Sequence, residues 1–489
     1  MIEKSIKKNY ILYLIRSLSS LFFPVLSFAY VSRTLSVEGI GKVDFSRSIV
    51  SYFTLFATLG ITTYGIREGA KVRDDKTALS TLACELLIIN GIMTLIVYVF
   101  FFEALRVIPK FSEYRIFLFI SGFSIGFTSL GIEWLYGALE EYGYIAARTI
   151  LFQIISLFLL FLLVKNPDDY YQYCGILVFS TVGSNFFNFI HARKYLSLTR
   201  MQKFEIQKHI KPILIFFSTT LAGNIYLTLD TSMVGVLSTD YAVGLYSAAN
   251  KMNRIGLSVI NSLSVVLMPR LAYYINNGEI EKYKSLLKKC FECVCILAFP
   301  IACGMFVLSE DILLIFSGKS YLPAANCSRL MSLIIIFIPL STIACNQILI
   351  PFGKEKYQLV STVIGSVSNL VVNGLLIPAF SETGAAIGTV VSEFMVCAFL
   401  FIFAKQLFNY QYVLSNIWHY AIATAIMAFS LIPMRTLQEG ILRGTVSTFI
   451  GAIIYILILF LLKDDFTFLI YHSLHKIFMK CTSNSQRSK

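Results

Sequence analysis

Two apolar stretches of the chain carry polar side chains at helical spacing. Within residues 43–66, Asp44, Arg47, Ser51, Thr54 and Thr58 advance by steps of three, four, three and four. Within residues 245–269, Ser247, Lys251, Arg254, Ser258 and Asn261 advance by four, three, four and three. Such steps place each set on one face of a helix. Arg16 repeats the theme in residues 10–32, with Ser20, Pro24 and Ser27. A guanidinium offers two parallel hydrogen bonds to phosphate or carboxylate oxygens. Arg16, Arg47, Lys251 and Arg254 are therefore candidate anion-binding residues. The competing reading has the hydroxyls joining neighbouring helices and the cations snorkelling to headgroups or meeting acids. On that reading Glu85, at nearly the depth of Arg16, neutralises it, and Glu292 pairs with a loop lysine.

A second polar group is mostly uncharged. At 1.5 Å rise per residue, Asp230, Asn369, Asn373 and Thr389 fall in a slab roughly 6 Å thick. One carboxylate with amide and hydroxyl oxygens suits a small hard cation such as Na⁺. The alternative is interhelical hydrogen bonding, with Arg254 balancing Asp230.

The elements that must hold these residues are membrane helices. The 489 residues are 56% hydrophobic and 14% charged, with mean hydropathy +0.72; a soluble domain carries about 25% charged residues. At about 20 apolar residues per span, the chain accommodates roughly fourteen. They are expected near 10–32, 43–66, 78–102, 115–137, 145–164, 171–191, 212–237, 245–269, 286–308, 323–350, 357–378, 384–404, 416–434 and 444–462. No stretch alternates as a barrel strand does, so the fold class is an all-α polytopic membrane protein.

The net charge of +13 orients the chain. With the N-terminus inside, about 27 of the 41 basic residues lie in alternate loops, which is the positive-inside asymmetry. Both termini are then cytoplasmic, and nucleic acid is not an expected partner. Lys4, Lys7 and Lys8 precede the first span without a small-residue cleavage site, so that span reads as an uncleaved anchor. Cys290, Cys293 and Cys295 read as packing residues, because positions 293 and 295 do not share a helix face. The five histidines lie at span ends or in loops, and no Walker loop is present, so neither a catalytic constellation nor an ATP site is expected.

The polar stretch 196–211 divides the chain. The expected organisation is an N-terminal lobe at 1–195, a cytoplasmic linker at 196–211 and a C-terminal lobe at 212–408. Two added spans follow at 409–463, then a cytoplasmic tail at 464–489. A weak internal repeat supports the division: Leu35-Ser-Val-Glu-Gly-Ile-Gly41 and Leu237-Ser-Thr-Asp-Tyr-Ala-Val-Gly244 occupy corresponding short connections.

Four stretches carry a resemblance. They are Arg33-Thr-Leu-Ser-Val-Glu-Gly-Ile-Gly-Lys-Val-Asp-Phe-Ser-Arg-Ser-Ile-Val-Ser-Tyr-Phe53, Gly60-Ile-Thr-Thr-Tyr-Gly-Ile-Arg-Glu-Gly-Ala-Lys-Val-Arg-Asp74, Glu133-Trp-Leu-Tyr-Gly-Ala-Leu-Glu-Glu-Tyr-Gly-Tyr-Ile-Ala-Ala-Arg148 and Gly244-Leu-Tyr-Ser-Ala-Ala-Asn-Lys251. In this order they resemble polysaccharide flippases of the Wzx type. Ser36 stands where many members have glycine. The resemblance implies the multidrug/oligosaccharidyl-lipid/polysaccharide exporter fold, with two six-helix lobes around a cavity and two further helices.

It also implies movement of undecaprenyl-diphosphate-linked oligosaccharide, such as an O-antigen unit, between leaflets of the bacterial inner membrane. A glycan polymerase and a chain-length regulator are the implied partners. By position, the cavity arginines of related lipid II flippases look like Arg16, Arg47 and Arg254, with Lys251 adjacent. Their Na⁺ ligands look like Asp230, Asn369, Asn373 and Thr389. The resemblance implies an acid at the position of Asn373, which leaves Na⁺ or H⁺ as the coupling ion, with no other cofactor. The sequence leaves two alternatives. A drug/cation antiporter of the same fold would favour acids in its cavity, and a polysaccharide polymerase would carry a large external loop.

Overall fold

Inside a bilayer no water can satisfy peptide groups, so each spanning segment must pair its own. A computed structural model describes residues 6–197, 203–407, 416–436, 440–464 and 466–468 of the chain; among them every regular element is helical. In order these are α1 (Ile6–Thr34), α2 (Val37–Thr58), α3 (Ile61–Lys71), α4 (Lys76–Val107), α5 (Pro109–Glu113), α6 (Arg115–Leu130), α7 (Glu133–Ala138), α8 (Tyr142–Leu163) and α9 (Tyr170–Ala192). There follow α10 (Gln207–Leu237), α11 (Asp240–Asn276), α12 (Ile280–Val307), α13 (Ser309–Phe316), α14 (Ala325–Met331), α15 (Ile334–Thr342), α16 (Lys356–Ala404), α17 (Ile417–Leu431) and α18 (Ile441–Leu461).

Among the described residues, nine helical segments are long and apolar enough to cross a membrane, or ten if the bent pair Lys319–Met331 and Ile334–Leu349 is one span. The expected spans at 10–32, 245–269 and 416–434 fall on α1, α11 and α17, which lie outside that set. The α17 helix has only 15 residues, and α11 carries Lys251, Arg254 and Arg270. The expected spans 357–378 and 384–404 are the two legs of the 49-residue α16, which breaks at Ser381 (φ 49°).

Two other expected spans are also interrupted. The helix through 43–66 stops at Leu59 (φ 48°) and Gly60 (φ 67°) before α3 begins, and the one through 115–137 breaks at Ile132 (φ 41°) before α7. Left-handed residues end the hydrogen-bond ladder and turn the chain. Hydropathy alone does not register such breaks.

Contacts divide the chain into two compact units. The first comprises Met1–Ser247 with Asn373–Ala385, and the second Ala248–Val372 with Ala386–Lys489. In the first, α2 packs on α4, α6 and α10; α9 packs on α6 and α8; and α1 lies along α8. Leu95, Phe158 and Ile215 face outward, more than half exposed, as side chains in contact with acyl chains should be.

The two repeated connectors meet in this unit. Ser36 caps α2 by accepting the Gly39 N–H at 3.1 Å, and Thr239 caps α11 by accepting the Ala242 N–H at 3.2 Å. A Cβ on Gly41 would lie 1.9 Å from the Asp240 carbonyl oxygen, and one on Gly244 would lie 2.3 Å from that of Val37. The contact is reciprocal, each glycine facing the first residue of the other helix.

In the second unit, α12 packs on α15 and α17, and α17 on α18. Cys290 and Cys295 are buried there, Cys295 against Tyr420 and Met427, as packing residues would be. The Arg443 Nε of α18 donates to both Asp311 oxygens of α13 at 2.8 and 3.0 Å, and both residues are buried. Glu292 accepts from the Asn416 amide at 3.0 Å and lies 3.8 Å from the Lys288 ammonium, one turn away.

Candidate substrate cavity and ion site

Arg47 stands exposed at the edge of a cavity of about 320 Å³ in the first unit, lined also by Ser51, Thr54, Thr58, Ser124 and Asn224. Its hydroxyl stripe is not interhelical glue. The Ser51 hydroxyl donates to the Ser48 carbonyl at 2.6 Å, Thr54 to Val50 at 2.9 Å and Thr58 to Thr54 at 3.0 Å. Each proton is satisfied within α2, and the oxygens line the cavity as acceptors for ligand hydroxyls. Ser48 and Tyr52, off the expected stripe, meet another helix, at 3.2 and 3.0 Å from the Ser232 hydroxyl of α10.

A second cavity of about 320 Å³ holds Arg16 and shares Thr58, Thr128 and Thr181 with the first. Arg16 does not pair with Glu85. Its Nη2 forms an ion pair with Glu133 at the start of α7. Glu85 is bound elsewhere: it accepts the Glu205 N–H and lies 2.8 Å from His209 Nε2, whose Nδ1 is 2.6 Å from the Tyr64 hydroxyl. Depth placed Arg16 and Glu85 together, but the order of helices around the unit separates them. Arg148, also in this cavity, had no expected role, although it closes the stretch Glu133–Arg148 that carries part of the resemblance.

Lys251 and Arg254 lie on the part of α11 that belongs to the second unit. Arg254 is exposed and its Nε donates to Asn250 Oδ1 at 2.9 Å, one turn back. Lys251 is half-buried. Between them Asn253 fastens α11 inward, donating to the Ala249 carbonyl at 2.9 Å and to the Ser328 carbonyl and hydroxyl at 3.2 Å. Counted from the caps, Arg47 registers with Asn250, one residue before Lys251. Asn261 of the expected stripe has a side chain outside the described residues.

Asp230 and Asn373 come together in the first unit. The Asn373 amide donates to Asp230 Oδ1 at 2.7 Å and the Tyr246 hydroxyl donates to Oδ2 at 2.8 Å, with all three residues buried. Tyr246 was not among the expected ligands. Its signal was the connector repeat, which opens the helix carrying it. Asn369 is buried one turn before Asn373, and Thr389, half-buried, follows the bend at Ser381; both belong to the second unit. A cation held by Asp230 and Asn373 requires the amide to present Oδ1 in place of its N–H groups. Among the described residues no group of three His, Cys, Asp or Glu could hold a metal ion.

The second unit also has an apolar cavity of about 630 Å³ between α12, α17 and α18, lined by Ile301, Met305, Met427, Leu431, Ala452 and Ile456. Its walls suit hydrocarbon.

Residues 6–274, more than half of the chain, match the family described as Polysaccharide biosynthesis protein, and residues 216–375 match the MatE family. A relative from Shigella dysenteriae named "Putative O-antigen transporter" is 23% identical over 399 residues, covering 81% of this chain and 98% of its own length. The capsular polysaccharide biosynthesis protein CapF of Staphylococcus aureus is 24% identical over 415 residues, covering 82% and 100%. Among solved structures, the lipid II flippase MurJ in an inward closed conformation superposes with TM-score 0.74 at 14% identity, covering 95% of this chain and 99% of that one. An inward-facing multidrug-resistance MATE transporter of the MOP superfamily gives 0.63 at 13% identity, covering 81% and 97%. The expected all-helical exporter fold is thereby found, and the relatives' names agree with the expectation of a transporter over an enzyme. By its sequence match the chain belongs to the polysaccharide biosynthesis protein family, as a multi-pass membrane protein whose fold is that of the MurJ and MATE structures.

Proposed function

We propose that the protein is a flippase that carries undecaprenyl-diphosphate-linked oligosaccharide units from the inner to the outer leaflet of the bacterial cytoplasmic membrane by alternating access. The observation that carries this reading is the Arg47 cavity, where one guanidinium meets a wall of hydroxyl oxygens whose own protons are already used. A diphosphate and its sugars cannot cross hydrocarbon unaided. The cation offsets the desolvation of the phosphates, and the hydroxyl oxygens accept from sugar hydroxyls. The apolar cavity between α12, α17 and α18 supports the same reading by offering a surface for part of the prenyl chain.

Arg16, Lys251 and Arg254 are the further anion-binding residues of this proposal. Asp230 and Asn373, with Asn369 and Thr389, are the coupling-ion residues, for Na⁺ or H⁺, around a buried carboxylate that Asn373 and Tyr246 already engage. Both termini are cytoplasmic, and a polymerase and chain-length regulator act on the exported unit. The drug-antiporter reading asks for carboxylates in the cavity, yet the side chains lining the Arg47 cavity are cationic, hydroxylic, amide or apolar.

Deletion of the gene in the producing strain tests the proposal. Lipid-linked oligosaccharide should accumulate on the inner leaflet while surface glycan falls, and normal surface glycan would overturn it.

A further inference from the structure

We infer that Arg16, Glu133 and Arg148 form an exchangeable oxyanion subsite, in which Glu133 is a resident counterion that the substrate's oxyanion displaces from Arg16. The inference rests on the flippase reading and deepens it. Arg148 is only 7% exposed. Its Nη1 reaches the Ser184 carbonyl at 3.4 Å and its Nη2 the Thr149 hydroxyl at 3.5 Å, while its buried Nε has no partner. A guanidinium has five N–H donors, and burying one this poorly satisfied is costly unless a charge answers it.

Glu133 lines the same cavity as Arg148, but its ion pair is with Arg16. One acid therefore serves two guanidinium groups in one cavity. The Arg16–Glu133 pair lies open to the cavity, its side chains 31% and 36% exposed. Ion pairs that water reaches are weak, so this one can open. A phosphoryl or carboxylate oxyanion entering the cavity finds donors on Arg148 left unused and donors on Arg16 released by Glu133. Such a group comes from the diphosphate or from an acidic sugar of the glycan.

The chain has two tryptophans, and Trp134 lines this cavity. A Trp418→Phe protein in lipid nanodiscs leaves Trp134 as its only indole. Titration with undecaprenyl diphosphate should shift its emission saturably. Arg148→Ala should weaken the apparent affinity about tenfold, the loss of a charge-assisted hydrogen-bond pair, and Arg148→Lys should fall between. Glu133→Gln should bind about three- to tenfold more tightly, because the competing carboxylate is gone; a residue that only held the fold would give no gain.

Saturation by sodium glucuronate, with no response to undecaprenyl diphosphate, would support the subsite and assign its oxyanion to an acidic sugar. Binding no tighter in Glu133→Gln, unchanged binding in Arg148→Ala, or no response to either probe would overturn the inference. If the deletion strain still accumulates lipid-linked oligosaccharide in that case, the subsite fails and the flippase reading stands. Normal surface glycan in that strain removes the reading itself.

Discussion

Arg47 is reachable from its cavity while the residues that flank it, Ser46 and Ser48, are buried, so its substitution removes a contact with ligand more than one with the fold. Arg47→Ala protein should insert at wild-type levels and lose transport about 10- to 100-fold, the equivalent of one charge-assisted bidentate contact. Arg47→Lys should retain part of it, since the charge stays and the fork is lost. Surface glycan and accumulated lipid-linked oligosaccharide measure both. Asp230 has the opposite character, buried and fully engaged by Tyr246 and Asn373. If it holds Na⁺ in the transport cycle, Na⁺ stabilises the folded protein by linkage, about 2.7 kcal/mol at a hundredfold excess over the dissociation constant. The thermal midpoint of purified wild-type protein should therefore rise in NaCl relative to choline chloride, and that of Asp230→Asn should not. An equal midpoint in both salts for wild type would remove the Na⁺ assignment. At this scale residue types were readable from the sequence and partners were not. Arg47 could be seen as a cavity cation because its companions sit on its own helix. Arg16 could not be matched to Glu133, because that pair joins residues far apart in the chain across helices whose order hydropathy leaves open.

Each helix reports its interior packing in the sequence, but its breaks are weakly marked. The connector repeat was visible as two similar seven- or eight-residue stretches, and it proved to be a reciprocal contact because both copies supply a cap and a glycine at the same step from it. By contrast, Leu59 and Ile132 are ordinary apolar residues that nonetheless take left-handed conformations, and the second of these breaks is what presents Glu133 at the head of the six-residue α7. Gly41→Ala should be destabilising by about 1–3 kcal/mol, because the added methyl meets a backbone carbonyl at 1.9 Å that no rotamer change can move aside. Gly91→Ala, with nothing within 4 Å of its Cβ position, should be neutral or gain the better helix propensity of alanine. Thermal unfolding of the two purified variants separates packing from propensity. The buried Arg443–Asp311 pair gives a second test at this scale. Arg443→Met should cost about 3–5 kcal/mol by stranding a buried carboxylate, and the double change Arg443→Met with Asp311→Leu should recover much of it.

For the whole molecule, the strongest sequence signal is one the atomic contacts do not carry. Basic residues crowd alternate loops, and the positive-inside rule turns that bias into an orientation for every helix. Two exposed positions sample opposite sides of the expected topology. Asp168 lies between α8 and α9, in a connection poor in basic residues, and Lys354 lies between the bent helical pair and α16, beside Lys356. The described native cysteines are buried or half-buried, so a polar maleimide should label the unmodified protein slowly. A cysteine at position 168 should react with a membrane-impermeant maleimide in intact cells, and one at position 354 only after the membrane is opened. Parity makes the pair informative. If the helices between these positions crossed the bilayer an even number of times, both would label together. If the whole orientation were reversed, the labelling would exchange between them. Only outward exposure of 168 with inward exposure of 354 agrees with the charge bias.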